Sequence, residues 1–172
     1  MDKRYILMLI IIILCCINLS IIINNSDEVG SASVSIGKYL FSVPEGFNLD
    51  ENNGNSAMIK NKNNTNIYVE TNLNEYDTYK ERLNHLGNET NSTILSKGTV
   101  SIENLPVSTV YYRTEYDNMS AFYFEKDNTQ FKIIVSNFDY DNERDSILEY
   151  ATFIIKSIKY DYKSTKWVYI IK

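Results

Sequence analysis

The sequence predicts an α+β fold, in which an antiparallel β-sheet is covered by helices, preceded by one N-terminal transmembrane helix. Three observations lead to this prediction. A long uncharged run opens the chain. Several short β runs follow, separated by turns too brief for parallel crossovers. Two further stretches have the apolar periodicity of amphipathic helices. The 172 residues, 44% of them apolar and 13% aromatic, suffice for one domain with its own core.

The first element is the uncharged run from Tyr5 to Ile23, 19 residues with nine Ile and five Leu or Met. As a helix it would be about 28 Å long, close to the hydrocarbon thickness of a bilayer. Lys3 and Arg4 precede it, and the first charges after it are acidic. The positive-inside tendency therefore places residues 1–4 in the cytoplasm and the rest of the chain outside. We predict a single-pass protein of the cell membrane.

Cleavage and lipidation of this segment are both left open. The small residues Ser31-Ala32-Ser33 would suit a signal peptidase, but they lie far beyond Ile23, which favours an uncleaved anchor. Cys15 and Cys16 lie inside the span and lack the small preceding residue of a lipoprotein signal. They are the only cysteines, so disulfides and thiolate metal sites are excluded from the rest of the chain.

The remaining chain divides into three parts by composition. Residues 24–35 are mostly polar or small and predict a linker. Residues 36–160 carry the regular patterns and predict the extracytoplasmic domain. Residues 161–172 predict a C-terminal tail, which includes the apolar stretch from Trp167 to Ile171.

Seven stretches within the domain alternate or carry β-forming residues between turn signals. The predicted strands are Tyr39 to Val43, Ala57 to Lys60, Ile67 to Thr71, Ile94 to Ile102, Val107 to Tyr116, Met119 to Glu125 and Gln130 to Asn137.

Two stretches have helical periodicity. In Leu73 to Leu86, the apolar positions Tyr76, Tyr79, Leu83 and Leu86 share one helix face, and Gly87 is expected to end the helix. From Asn142 to Ile158, a continuous apolar stripe lies opposite a charged face.

Part of this pattern resembles the PsbP-like proteins, which include many exported prokaryotic proteins. Lys38 to Phe47, KYLFSVPEGF, resembles their opening strand and turn, and Ile102 to Val107 resembles their mid-domain turn. Asp145 to Tyr160 is similar to their closing helix. The resemblance covers about residues 36–160 and implies an α-β-α sandwich. It implies no catalytic residue, because no shared catalytic motif defines the group.

The chemistry of the sequence excludes several classes of protein. A net charge of −5 argues against a nucleic-acid binder. Phosphate-binding loops, dinucleotide fingerprints and metalloprotease motifs are absent, so we predict no cofactor and no catalytic residue. His85 is the only histidine, and we expect ordinary packing for it at the helix surface or boundary.

One acidic stretch resembles the first half of a calcium-binding loop. Asp139, Asp141 and Glu143 alternate as its oxygen ligands would, but Arg144 stands where the loop requires Gly, and Tyr150 where it requires Glu. The preferred interpretation is that Asp139 or Asp141 caps the last helix.

Four tyrosines, Tyr111, Tyr112, Tyr116 and Tyr123, fall on the predicted central hairpins. Cross-strand packing is the expectation for most of them. Any that point outward could contact a polysaccharide or a protein, because the ring stacks and the hydroxyl forms hydrogen bonds.

Acceptor sequences for N-glycosylation also occur beyond the span. The candidates are Asn24, Asn63, Asn88, Asn91 and Asn118.

The function predicted from these features is a membrane-anchored extracytoplasmic binding or scaffold domain without catalysis. Its partner would be an envelope protein or a polysaccharide. One alternative is a hydrolase of envelope polymer that uses the carboxylates of Glu70, or of Asp141 and Glu143. Another is a lipoprotein-like binder of a small ligand, modified at Cys15 or Cys16.

Overall fold

The computed structural model describes residues 32–73, 78–89 and 91–162. The predicted span, most of the linker with Asn24, and the tail from residue 163 lie outside these residues. Among the helices that are described, none combines the length and apolarity needed to cross a bilayer.

The described residues form ten strands and two helices, and every strand pair is antiparallel, which confirms the α+β class. The helices are α1, Tyr79–Asn88, and α2, Tyr140–Ser157. The strands are β1 (Ser33–Ile36), β2 (Tyr39–Ser42), β3 (Phe47–Asn52), β4 (Ser56–Asn61), β5 (Asn66–Thr71), β6 (Thr93–Ile102), β7 (Leu105–Arg113), β8 (Asn118–Lys126), β9 (Thr129–Ser136) and β10 (Lys159–Tyr160).

The strands build two sheets. The larger has seven strands in the order β3-β4-β5-β9-β8-β7-β6, and the smaller has three in the order β1-β2-β10. In the larger sheet, β9 joins two sets of strands that are distant in sequence. Lys132 on β9 faces Glu70 on β5 and Tyr123 on β8 across the ladder. One transverse row therefore brings these three side chains to the same face.

Each face of the large sheet has its own apolar core. Because side chains alternate along a strand, Phe122 and Phe124 of β8 face one way and Ala121 and Tyr123 the other. Phe122 and Phe124 join a core with the buried stripe of α2 and residues of β1 and β2. Ala121 and Tyr123 pack with Leu86 of α1. The helices thus cover opposite faces, as an α-β-α sandwich requires.

Three strands were not predicted: β1, β3 and the two-residue β10, which follows the closing helix. Residues 33–35 belong to β1, so the predicted linker, 24–35, was wrong at its end. Ser33 and Ser35 are exposed while Val34 and Ile36 are buried, which is a strand pattern hidden by its polar positions. Strand β3 buries only Phe47, and its exposed polar residues gave no alternation to detect.

The predicted bounds of the first helix were also wrong. The helix begins at Tyr79 rather than Leu73, because the Thr78 side chain accepts from the Glu81 N–H and caps the first turn. Gly87 lies inside the last turn, and Glu89 is the residue that ends the helix. Strand β7 ends at Arg113 instead of Tyr116. The next residue, Thr114, begins a turn that its hydrogen bonds with Asp117 hold in place.

Candidate functional site

The four tyrosines of the hairpins do not form a common surface. Tyr111 is buried against α2, under the Arg144 guanidinium 5.4 Å from its ring centroid. Tyr112 and Tyr123 are buried on the α1 face, and Tyr116 is 91% exposed in the β7–β8 turn. Cross-strand packing therefore accounts for three of the four tyrosines.

The carboxylates suggested for a hydrolase are separated by the sheet. Glu70 lies on the α1 face, where its Oε2 is 2.7 Å from the Nζ of Lys132. Asp141 and Glu143 lie in the first turn of α2, which packs on the opposite face. Glu70 therefore does not share a substrate position with Asp141 and Glu143.

The acidic stretch at α2 acts as a helix cap. Asp139 is the N-cap: its Oδ1 accepts from the Asp141 N–H at 3.0 Å, and its Oδ2 accepts from the Asn142 amide at 2.6 Å. The Asp139 N–H donates to Glu143 Oε2 at 2.7 Å in return. The Asp139 carboxylate accepts hydrogen bonds from the Asn142 side chain and the Asp141 backbone. These hydrogen bonds lower the pKa of Asp139 below its ordinary value of 3.8. Across the described residues, no three His, Cys, Asp or Glu side chains are grouped to hold a metal ion.

His85 lies on the exposed side of α1. Its Nδ1 is 2.8 Å from Glu89 Oε1, one helical turn away. This is the surface position expected for it from the sequence.

The described acceptor asparagines differ in accessibility. Asn63, Asn88 and Asn91 are exposed. Asn118 is half-buried, and both ends of its amide are used: Nδ2 donates to the Phe138 carbonyl at 3.1 Å, and Oδ1 accepts from Arg113 Nε at 2.9 Å.

A cavity of 310 Å³ lies beside the N-terminus of α1. The Tyr79 and Tyr123 rings line it, with centroids 5.8 Å apart, and Leu73 and Pro106 add apolar surface. A pocket of this size with aromatic walls suits a small ligand or one segment of a longer one.

The two rings are fixed by the fold. Tyr79 is the first residue of α1, and its hydroxyl donates to the Thr109 carbonyl at 3.1 Å. The Tyr123 hydroxyl accepts from Arg82 Nε, one turn further along α1, at 3.3 Å. Burial raises the pKa of the Tyr79 hydroxyl.

The floor of the cavity comes from the β8–β9 hairpin. Glu125 and Gln130 face each other across its ladder, one residue pair away from the two-residue turn of Asp127 and Asn128. Both turn residues have positive φ, 52° and 58°, as a tight hairpin of this kind requires. Glu125 lies two positions from Tyr123 and therefore on the same face of the sheet.

A second cavity, of 590 Å³, continues from the first. The two share Leu73, Thr78, Glu125 and Gln130, and the second extends to Asn72, Asn128 and Thr129. We call the two together the α1 groove. One end is aromatic, and the other is lined by amides, hydroxyls and a carboxylate.

Sequence reasoning singled out Tyr123 but missed the other residues of the groove. Tyr79 was assigned to the apolar face of its helix, and Glu125 and Gln130 were taken only as strand residues. The pairing of the last two could have been found from the short turn between their strands. The position of α1 over them depends on packing between distant segments.

No protein-family model and no curated protein sequence matches this chain. Among solved structures, the domain is similar to cyanobacterial PsbP (CyanoP) from Synechocystis sp. PCC 6803, with a TM-score of 0.51 and 13% identity over 77% of this chain and 95% of that one. It is also similar to LpqN, involved in cell envelope biogenesis of Mycobacterium tuberculosis, with a TM-score of 0.48 and 9% identity over 78% of this chain and 92% of that one. A Bacteroides thetaiotaomicron protein gives a TM-score of 0.49 at 13% identity, over 80% of this chain and 50% of that one. Together with the sheet order and the two flanking helices, the likeness to cyanobacterial PsbP shows that this domain has a PsbP-like fold.

Proposed function

We propose that this chain is a membrane-anchored extracytoplasmic domain that binds a partner in the α1 groove without catalysing a reaction. The observation that carries the proposal is the groove itself. Its aromatic wall of Tyr79 and Tyr123 adjoins a polar floor of Glu125 and Gln130. Such a combination provides contact area and orientation for a ligand.

The anchor and its orientation are supported by the sequence. The uncharged run from Tyr5 to Ile23 is long enough for a bilayer, and Lys3 and Arg4 precede it. The domain that follows begins shortly afterwards, with β1 at Ser33.

Binding is favoured over hydrolysis by what the carboxylates do in the fold. Glu70 forms a salt bridge with Lys132, and Glu143 accepts a hydrogen bond from the backbone N–H of Asp139, the N-cap of α2. Carboxylate-driven glycoside hydrolysis uses two carboxyl groups that face each other across the scissile bond. Among the described residues that line the α1 groove, Glu125 is the only one with a carboxylate.

The proposal is tested with the full-length chain in a zwitterionic detergent without a sugar headgroup. It is incubated with envelopes isolated from the source cells and washed in the same detergent. Binding is measured by co-sedimentation, and hydrolysis by release of soluble reducing ends. The groove variant is Glu125→Ala combined with Gln130→Ala, both exposed positions. The matched control is Glu149→Ala, on the exposed side of α2.

We expect the natural chain and Glu149→Ala to co-sediment equally and the groove variant to bind about tenfold more weakly, as the loss of one or two hydrogen bonds implies. No reducing ends are expected. Equal binding by the groove variant would contradict the site. Release of fragments that Glu70→Gln or Asp141→Asn abolishes would contradict the non-catalytic role.

A further inference from the structure

The chemistry of the α1 groove selects among classes of ligand, and from it we infer that the groove binds a neutral saccharide chain. The inference rests on the proposed function and names the ligand class for the same site. Three properties of the groove carry it: its aromatic wall, its hydrogen-bonding groups and its charge.

The aromatic wall suits the apolar face of a sugar ring. The half-buried Tyr79 presents its ring to the 310 Å³ cavity, and the buried ring of Tyr123, tilted at 57° to it, packs behind it. A pyranose carries its C–H groups on the faces of the ring and its hydroxyls around the edge. Rings placed against those faces bury apolar surface and leave the hydroxyls directed toward the polar floor.

The hydrogen-bonding groups of the floor match hydroxyls. A sugar hydroxyl donates one hydrogen bond and accepts others, so a site for several of them needs both kinds of partner. The amides of Gln130, Asn72 and Asn128 each provide both. The hydroxyls of Thr78 and Thr129 are engaged within the fold, with the Glu81 N–H and the Tyr39 hydroxyl. The Glu125 carboxylate adds an acceptor for donating hydroxyls, a charge-assisted bond that is stronger than a neutral one.

The charge of the groove disfavours anionic ligands. Glu125 is the only charged side chain among the described residues lining the two cavities, so an anionic polymer would place its charges against a carboxylate. A neutral chain avoids this repulsion.

The size of the groove favours a chain over a single sugar. The second cavity, of 590 Å³, continues from the first along the β8–β9 hairpin through Thr129 and Asn128. A ligand that filled only the aromatic end would not reach the amide of Asn128. A few linked sugar units would use both ends.

The test is isothermal titration of the full-length chain, in the same detergent, with four probes of matched length. Cellotetraose and chitotetraose are neutral, tetragalacturonic acid is anionic, and tetralysine is cationic. We expect heat of binding from at least one neutral tetrasaccharide and none from the two charged probes. Binding should weaken about tenfold in Glu125→Ala combined with Gln130→Ala and remain unchanged in Glu149→Ala.

Each further outcome has a definite meaning. Groove-dependent binding of tetragalacturonic acid or tetralysine, with none of the neutral chains, would overturn the inference and leave the proposed function intact. Groove-dependent binding to envelopes that neither neutral tetrasaccharide displaces would also overturn the saccharide inference and leave the proposed function intact. Saccharide binding that is identical in the groove variant would overturn the site, and with it both proposals. Circular dichroism of the double variant checks that it is folded.

Discussion

The Nζ of Lys132 lies 2.7 Å from Oε2 of Glu70, on neighbouring strands where the two residues face each other in register. The lysine side chain is only 5% exposed and the glutamate 25% exposed, so the ammonium is held largely out of water. An ammonium in such a position is costly unless oppositely charged groups and hydrogen bonds compensate it. The pair therefore joins β5 to β9, at the junction of two sets of strands that are distant in sequence.

Glu70→Gln is expected to lower the free energy of unfolding by about 1.5–3 kcal/mol, because the buried ammonium loses a charged partner. The measurement is urea denaturation followed by circular dichroism. Glu149→Gln makes the same chemical change at an exposed position of α2 and should stay within about 0.5 kcal/mol of the natural chain. Equal losses in the two variants would show that the pair does not stabilise the fold.

Tyr112 and Tyr79 provide a matched pair of hydroxyl deletions on the α1 face. The Tyr112 hydroxyl is buried without a hydrogen-bond partner among the described residues, whereas the Tyr79 hydroxyl donates to the Thr109 carbonyl. Tyr112→Phe should therefore be neutral or stabilising by up to about 1 kcal/mol, and Tyr79→Phe should cost about 1 kcal/mol. Chemical denaturation of both variants decides this, and the reverse order would contradict the hydrogen-bond assignment.

The cap of α2 makes stability depend on pH. Hydrogen bonds from Asn142 and Asp141 hold the pKa of Asp139 below 3.8, so the ionised carboxylate is favoured in the folded state. A lowered pKa gives stability that is present above the unfolded value and is lost as the pH falls through the folded value. Asp139→Ala should lower the melting temperature by a few degrees at neutral pH, and its deficit should shrink as the pH falls below 3.8.

Thermal denaturation across that range, with Asp50→Ala as an exposed control, measures the effect. A deficit in Asp139→Ala that does not change with pH would mean that the charged cap is not its source.

The acceptor asparagines should differ when the chain is secreted by a glycosylating host. A glycan attaches to Nδ2, and in Asn118 that atom donates to the Phe138 carbonyl while Oδ1 accepts from Arg113. Asn63 is exposed in the β4–β5 turn. We expect the folded, secreted protein to carry glycan at Asn63 and not at Asn118, as read by peptide mass spectrometry. Glycan at Asn118 in fully folded protein would contradict the structure at that position.

The sequence was informative wherever structure follows from local patterns. Alternation predicts that Tyr123 and Glu125 share a face, and the brief turn at Asp127 and Asn128 predicts the hairpin that brings Gln130 opposite Glu125. The closing helix was predicted within two residues at its start, because its apolar stripe and its acidic cap are both local signals.

The groove was not predictable in the same way. Its aromatic wall requires α1 to lie over β7 and β8, and this placement is made by Leu86, which packs with Val110 and Ala121. The row of Glu70, Lys132 and Tyr123 requires β5 to pair with β9, two strands separated by about half of the domain. Both depend on contacts between segments whose sequence patterns carry no information about each other.

The side of the membrane on which the domain lies is the claim on which the proposed function depends most. It is measured by labelling intact cells with a membrane-impermeant maleimide. Tyr116 is 91% exposed in the β7–β8 turn, which makes Tyr116→Cys an accessible reporter of the domain, and Asp2→Cys reports the N-terminus. The natural chain, whose only cysteines are Cys15 and Cys16, sets the background. The account predicts that Tyr116→Cys is labelled in intact cells with an opened wall and that Asp2→Cys is labelled only after permeabilisation. Labelling of Asp2→Cys in intact cells, with Tyr116→Cys protected until permeabilisation, would contradict it.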